Sequence, residues 1–155
     1  MIIRPAVVGD EAAILRIRND PEALFWSGVR QPILPSEHHL WFQTLLGDPT
    51  HCVWVAEDQH IGFQRTDNEV IGYGRMKIRS VGTVSFGVER SSRGRGVGTA
   101  LLRTVDAEAR LLKVDQQAWV HPSNIPSVRA FMRLGYRIGG EPGYICLEKR
   151  NADGS

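Results

Sequence analysis

The sequence predicts one α+β domain, a mixed and mostly antiparallel sheet of six to seven strands flanked by about four helices. Three observations carry this reading. Apolar residues recur with helical spacing in two early segments; the stretch from residue 52 to residue 89 alternates like strands; and from residue 98 onward a strong helical stripe is followed by short strands around one more helix. With 155 residues the chain is long enough for one sizeable core and short for two, so residues 1–150 are read as one domain. Residues 151–155, small and polar, are read as a frayed tail.

The order of elements follows from local signals. Residues 2–4 make a short strand that Pro5 ends, and Asp10 stands as an N-cap ahead of Ala12, Ala13, Leu15 and Ile17. That helix stops near Asn19, Asp20 and Pro21, and an irregular stretch runs through Gly28. Ser36 offers a second N-cap, with Leu40, Trp41, Phe42, Leu45 and Leu46 giving an amphipathic helix that ends at Gly47. Strands are then expected over 52–56, 69–78 and 83–89, with a long connection over 59–67. Leu101, Leu102, Val105, Ala109 and Leu112 form the clearest helical stripe in the chain. A buried strand over 117–120 follows, then a helix with Pro126 in its first turn and Gly135 at its end, and last a hairpin of 136–138 with 144–148.

Composition excludes several classes of function. Nineteen basic and seventeen acidic side chains leave a net charge of +2, so there is little overall pull toward nucleic acid or an anionic membrane, and any anion site must be local. No stretch approaches the ~20 apolar residues of a membrane span, and residues 1–15 lack the pattern of a signal peptide; the expected location is cytoplasmic. Cys52 and Cys146 stand far apart without Cys/His ligand spacing, so they read as reduced, buried residues, with no metal site expected.

The strongest local signal is Arg93, Gly94, Arg95, Gly96, Val97, Gly98, set between a strand and a helix. Alternate glycines let the backbone bend and let a ligand approach its N–H groups, and the helix start adds unpaired donors and the positive end of a dipole. That combination is a phosphate cradle, and Arg90, Arg93 and Arg95 place positive charge beside it. A Rossmann fingerprint starting at Gly94 would need glycine where Thr99 stands, and a Walker loop would need Gly-Lys-Ser/Thr, which is absent. In the preceding strand Gly87 interrupts an otherwise clean alternation. It marks either a bulge that frees backbone groups for a ligand or room for a neighbouring aromatic ring.

Residues 84–102 resemble the acetyl-coenzyme A motif of the GNAT family of N-acetyltransferases, a strand followed by Q/R-x-x-G-x-G/A that Arg93, Gly96 and Gly98 match. The run from Asn124 through Ser127 and Phe131 to Gly135 and Tyr136 is similar to that family's second motif. The resemblance implies a GNAT fold and acetyl-CoA as cosubstrate. It implies that amides of Arg93, Gly94, Arg95, Gly96, Val97 and Gly98, with Thr99 at the helix start, bind the pyrophosphate. Val88 then pairs with the pantetheine arm or thioester, and Asn124, Ser127 and Phe131 flank the cofactor. Without the family context Asn124 and Ser127 read as ordinary helix capping. Members of the family often carry a tyrosine where Phe131 stands, whose hydroxyl protonates the leaving thiolate; Phe131 cannot, and the alternatives are Tyr73, Tyr136 or departure of the thiolate with help from water.

An amine is mostly ammonium at neutral pH and must lose a proton before it attacks a thioester. Glu89, where the strand ends beside the expected thioester, is the first candidate base; its plainer reading is a surface carboxylate paired with Arg90 or Arg93. His38 is the second candidate, because it titrates in the right range on a helix that borders the acceptor site in such enzymes; its plainer reading is structural. In the N-terminal third, the run from Arg18 through Asn19, Asp20, Pro21 and Glu22, and the Glu37-His38 and Trp41-Phe42 pairs, are similar to acetyltransferases of nucleotide-linked amino sugars. The expected partner is accordingly a small-molecule amine, with no nucleic acid or membrane, and a homodimer is left open. The rival readings are acetylation of ribosomal or other protein N-termini, and a non-catalytic module that binds a nucleotide or RNA.

Overall fold

The computed structural model describes residues 1–59, 69–139 and 145–151. Among them a single sheet has the strand order β1-β2-β3-β4-β5-β7-β6: β1 Ile2–Pro5, β2 His51–Asp58, β3 Glu69–Ile78, β4 Gly82–Val88, β5 Gln116–Val120, β6 Arg137–Gly139 and β7 Ile145–Lys149. Neighbours are antiparallel except β4 and β5. Helices α1 Glu11–Arg18, α2 Pro21–Trp26, α3 Pro35–Gly47, α4 Val97–Leu112 and α5 Ile125–Arg133 complete the domain.

The α+β expectation stands, with one helix more than was read. Asp20-Pro21, expected to end the first helix, also starts α2: the Asp20 carboxylate accepts the N–H groups of Glu22 and Ala23, and Pro21 sits in the first turn where its missing N–H costs nothing. Two expected caps are absent. Asp10 occupies the N-cap position of α1 but turns its carboxylate back to Val7 N–H and to the Arg4 guanidinium. Ser36 lies inside the first turn of α3, whose N-cap is Leu34.

Period-two alternation sorts the sheet into two faces. Met76, Val84, Ala118 and Leu147 meet Leu102, Val105 and Ala109 of α4 and Phe131 of α5 on one side. On the other, Val55 and Val70 meet Ile14 and Ile17 of α1 and Phe42 and Leu45 of α3. The helical stripe is the inner face of α4 as far as Ala109; Leu101 and Leu102, excluded from water, each contribute about 1.5–3 kcal/mol, whereas Leu112 at the end of the helix is exposed. The one register shift of β2 against β3 falls between Ala56 and Glu57. Cys146 is buried as expected and Cys52 is only half-buried; both are free thiols. The segment 60–68, which holds most of the long connection, Gly140 and Tyr144 of the closing hairpin, and all but Asn151 of the tail lie outside the described residues.

Candidate active site

The parallel pair β4–β5 is joined only at its base. Gly82 pairs with Gln116 and Thr83 with Gln117, reinforced by Gly82 N–H on Asp115 C=O at 2.7 Å and Gln117 Nε2 on Thr83 Oγ1 at 3.0 Å. Beyond those positions the two strands separate, so two edges of one sheet face each other across a wedge. An edge is a row of unmatched N–H and C=O groups, and a wedge between edges accepts an extended chain that can hydrogen-bond to it.

The opening does not come from a bulge at Gly87. The β3–β4 ladder runs in unbroken register from Ile78↔Gly82 to Gly72↔Val88. Gly87 is required because a Cβ there would lie 2.7 Å from Cε1 of Tyr73 and 3.1 Å from Ile17. It makes room for an aromatic ring, the second of the two readings.

At the mouth of the wedge a 3-10 turn, Arg90–Ser92, leads into the glycine turn. Gly94 and Gly96 have φ of 76° and 81°, conformations that glycine adopts without the steric penalty of a Cβ, and Gly96 is the N-cap of α4. The helical ladder starts with Ala100 N–H on Gly96 C=O at 3.0 Å, so the amides of Val97, Gly98 and Thr99 precede it and carry the positive end of the helix dipole. A Cβ on Gly98 would lie 2.7 Å from the Phe86 ring, so glycine there lets α4 seat its first turn directly on β4.

The arginines do not stand as free charge beside this turn. Arg90 binds Asp20 at 2.9 Å; Arg93 binds Glu22 at 2.6 Å and Asp20 at 3.2 Å and donates to Val88 C=O at 3.2 Å; Arg95 binds Asp58 at 2.9 Å. The hydrogen bond from Arg90 leads the interactions that hold the Asp20 carboxyl down to about 2. The expected cluster of positive charge is therefore largely neutralised, and what the turn offers a phosphate is backbone. These bridges also tie α2 to the turn, with Trp26 under the Arg93 guanidinium at 5.6 Å. At its far end α2 reaches β5, where Phe25 lies 5.0 Å from the His121 ring.

Asn124 and Ser127 stand at the start of α5, and the Asn124 carboxamide accepts Ser127 N–H at 3.3 Å as a helix cap. Phe131 is a core residue, 2% exposed, edge-on to Phe86 and to Tyr136. Tyr136 donates its hydroxyl to Gln116, which donates to Asp106; this places it at the closed base of the wedge, and burial pushes its phenol well up. Tyr73 lies opposite Gly87 near the open end, and burial pushes its phenol up, so it stays protonated.

Glu89 follows the last residue of β4 at the open end, its N–H on Ile71 C=O. Its carboxylate meets Arg16 of α1 at 3.3 Å, while Arg90 and Arg93 are engaged with α2. His38 is elsewhere. It is 1% exposed, Nε2 lies 2.9 Å from Glu11 C=O, Nδ1 lies 3.2 Å from an Arg18 nitrogen, and the ring stacks on Phe42. A carbonyl accepts only, so Nε2 carries the proton and Nδ1 accepts from Arg18. Burial, assisted by the Arg18 charge, holds the ring below its ordinary pKa and keeps it neutral. Glu89 and the glycine turn are thus brought to one opening, and His38 is not part of it.

Of the residues that furnish this face, the sequence points to Arg18 and Trp41 as site residues only through the amino-sugar resemblance, and to Arg75 not at all. Arg18 and Arg75 approach the Trp41 indole at 4.0 and 5.3 Å. Their partners come from α1, α3 and β3, and no spacing along the chain reveals them; the one local hint was the Asp20-Pro21 helix start. Among the described residues no group of three His, Cys, Asp or Glu side chains could hold a metal, and no helix is long and apolar enough to cross a membrane.

The model of the acetyltransferase (GNAT) family matches residues 14–136. An uncharacterized N-acetyltransferase of Methanocaldococcus jannaschii is 32% identical over 122 residues, 67% of this chain and 70% of that protein. A Bacillus subtilis protein provisionally named a phosphinothricin acetyltransferase is 26% identical over 156 residues, 99% of this chain and 94% of its own. The same fold is found in a phosphinothricin acetyltransferase of Sinorhizobium meliloti solved in complex with AcCoA, with a TM-score of 0.83 at 21% identity over 99% of this chain and 90% of that one.

Proposed function

The chain belongs to the acetyltransferase (GNAT) family, and we propose that it moves an acetyl group from acetyl-CoA directly to the primary amine of a small molecule, an amino sugar carried on a nucleotide. The observation that supports the reading most is the wedge between β4 and β5 with the Gly94–Gly96 turn at its mouth. The donor set suits a coenzyme A: unmatched strand edges for an amide-bearing arm, and amides at a helix start for a diphosphate. In this reading the amides of residues 94–99 hold the diphosphate, the β4 edge near Val88 aligns the pantetheine arm, and Asn124 and Ser127 border it.

Acetyl-CoA supplies the thioester, whose carbonyl carbon the free amine attacks as the thiolate departs. Glu89 takes the ammonium proton, directly or through a water, and Arg16 beside it fixes the carboxylate. Phe131 has no proton to give the thiolate; Tyr73, protonated and opposite Gly87, is the hydroxyl nearest the open end in register. His38 acts through Arg18, which it holds. Transfer is accelerated by positioning and deprotonation, and neither cysteine carries the acetyl group.

Relatives named for phosphinothricin favour a second reading, an amino-acid acceptor. Assaying UDP-linked amino sugars, phosphinothricin and short peptides side by side with acetyl-CoA separates the three acceptor classes. Turnover confined to peptides would overturn the small-molecule assignment. Isothermal titration tests the cosubstrate; absence of coenzyme A binding at high micromolar concentration would remove it. Replacing the base, Glu89→Gln, is expected to lower kcat by about 10²-fold or more and flatten its pH dependence with coenzyme A affinity retained. Unchanged kinetics would clear Glu89.

A further inference from the structure

Two guanidinium groups lie half-buried on one indole with no carboxylate partner among the described residues. Arg18, at the end of α1, donates to His38 Nδ1 at 3.2 Å, and its Cζ stands 4.0 Å from the Trp41 centroid. Arg75, in β3, donates Nε to Ser85 Oγ at 2.8 Å, and its Cζ stands 5.3 Å from the same centroid. Each arginine carries five N–H donors, and these hydrogen bonds use one apiece. Arg16, Arg90 and Arg93, by contrast, are matched to acids. Placing two like charges together, part-way out of water and without a counterion, costs free energy that cation–π contact with Trp41 offsets only in part. The arrangement is economical once an anion completes it.

The position says which anion. Side chains two apart on a strand share a face, so Ser85 and Gly87 line one side of β4 with Arg75 and Tyr73 opposite them in register, and Glu89, just past the strand, meets Arg16 of α1. Ser85 and Glu89 are four residues apart, about 13 Å along the strand. An α-amino acid separates its amine and carboxylate by far less. A sugar amine and the phosphates of its nucleotide handle stand further apart, across a whole sugar ring, and the reach of the Arg75 and Glu89 side chains covers the remainder.

We propose that Arg18 and Arg75, gathered on Trp41 and steadied by His38 and Ser85, form a clamp for a phosphate of the acceptor that stands well away from the reacting amine. The clamp rests on the proposed small-molecule reading of this face, and it names the handle by which the acceptor is recognised. Trp41 adds an apolar surface beside the charges, suited to the ring that accompanies such a phosphate.

The test separates the clamp from the enzymatic reading. The Arg75 Nε–H, shielded by Ser85, is followed by nitrogen-15 NMR while inorganic phosphate, UDP or acetate is added to the full chain with coenzyme A present. UDP and phosphate are expected to shift this signal and that of Arg18, with acetate weaker, and Arg75→Gln to abolish the response. With an active acceptor, Arg75→Gln is expected to raise KM for the UDP-linked amine by about tenfold, the ordinary worth of one charge-assisted contact, and to leave kcat and the KM of a neutral amine unchanged. Arg75→Lys, which keeps the charge and tolerates the same fold, is expected to recover part of that loss. A titration in which phosphate and UDP move neither signal, or an equal KM rise for charged and neutral amines, overturns the clamp even if acetyl transfer is intact. Acetate acting as strongly as UDP reassigns the site to a carboxylate and overturns the phosphate. Failure of every amine to turn over would defeat the enzymatic reading while the NMR response still decides the clamp.

Discussion

The glycine turn proposed for the cofactor follows β4 and the face proposed for the acceptor lies along it, and the two are built from different materials. The turn is made of backbone: Gly94 and Gly96 supply the conformation, Gly98 supplies the clearance, and the α4 amides supply the donors. The proposed acceptor face is made of side chains from α1, α3, β3 and β4 that meet only in the folded molecule. A backbone site is written in the residue types that permit its dihedral angles, so it can be read along the chain. A side-chain site depends on which elements pack together, and its residues carry no local mark.

The sharpest way to break this contrast is to attack the turn without changing a donor. Gly98→Val places a branched Cβ where the Phe86 ring stands 2.7 Å away, and Phe86 is itself packed on Phe131. The first turn of α4 must lift, at an overpacking cost of about 1–3 kcal/mol in stability. Coenzyme A affinity is expected to fall by about 100-fold, equivalent to ~2.7 kcal/mol. Gly47→Ala, with open space around its Cβ, is the control and is expected to leave affinity unaltered. Retained affinity in a folded Gly98→Val protein would show that the diphosphate is not held by this helix start.

A smaller effect asks whether the arginines contribute at all. Asp20→Asn keeps an oxygen to cap α2 and removes the charge that holds Arg90, while Glu22 still holds Arg93 at 2.6 Å. Freed of Asp20, the Arg90 guanidinium is expected to tighten coenzyme A binding by about two- to fivefold, with a steeper dependence on salt, in keeping with the modest worth of part-exposed pairs. The sign on stability is opposite. A carboxyl held near 2 in the folded chain stabilises it above the unfolded value, and that gain is lost as pH falls through about 2. The variant should therefore lack part of the acid limb between about pH 4 and 2, as urea midpoints will show. Unchanged coenzyme A affinity at low salt would mean that only the backbone matters.

Most of the fold was legible because each long element carried its own periodic signal: the leucine and valine stripe of α4, the alternation of β3 and β4, and Pro126 with Gly135 bracketing α5. Short α2 was not, because Asp20-Pro21 ends one helix and starts the next with the same two residues. The wedge could not be read as such, since a parallel pairing of two residues leaves no pattern; of the two readings of Gly87, the bulge fails because the backbone is regular, and room for an aromatic ring holds. Glu89 was placed at the opening by its position after β4, yet its partner Arg16 lies 73 residues away and replaced the two nearby arginines that were expected. Charge partners at that distance are a product of packing alone.

The smallest expected effect concerns His38 and tests the side-chain half of the contrast. Burial disfavours its charged form, Glu11 C=O and carboxylate favour it, and Arg18 and His39 oppose it, with a net fall below the ordinary value. Above about pH 6.5 the ring is neutral in both folded and unfolded chains and its contribution is level. As pH falls below that value the unfolded chain takes up a proton the folded chain refuses, so stability drops until the folded pKa is reached. The slope for one proton is at most about 1.4 kcal/mol per pH unit. His38→Gln keeps a donor for Glu11 and an acceptor for Arg18 and removes the titration. Its urea midpoints at pH 7.5, 6 and 5 should therefore fall less steeply than those of the parent, and the other histidines cancel in the difference. Parallel slopes would mean that His38 takes up its proton as readily in the folded chain as in the unfolded one, which would return it to the candidate bases; and since a protonated Nδ1 cannot accept from Arg18, Arg18 would lose that anchor at low pH.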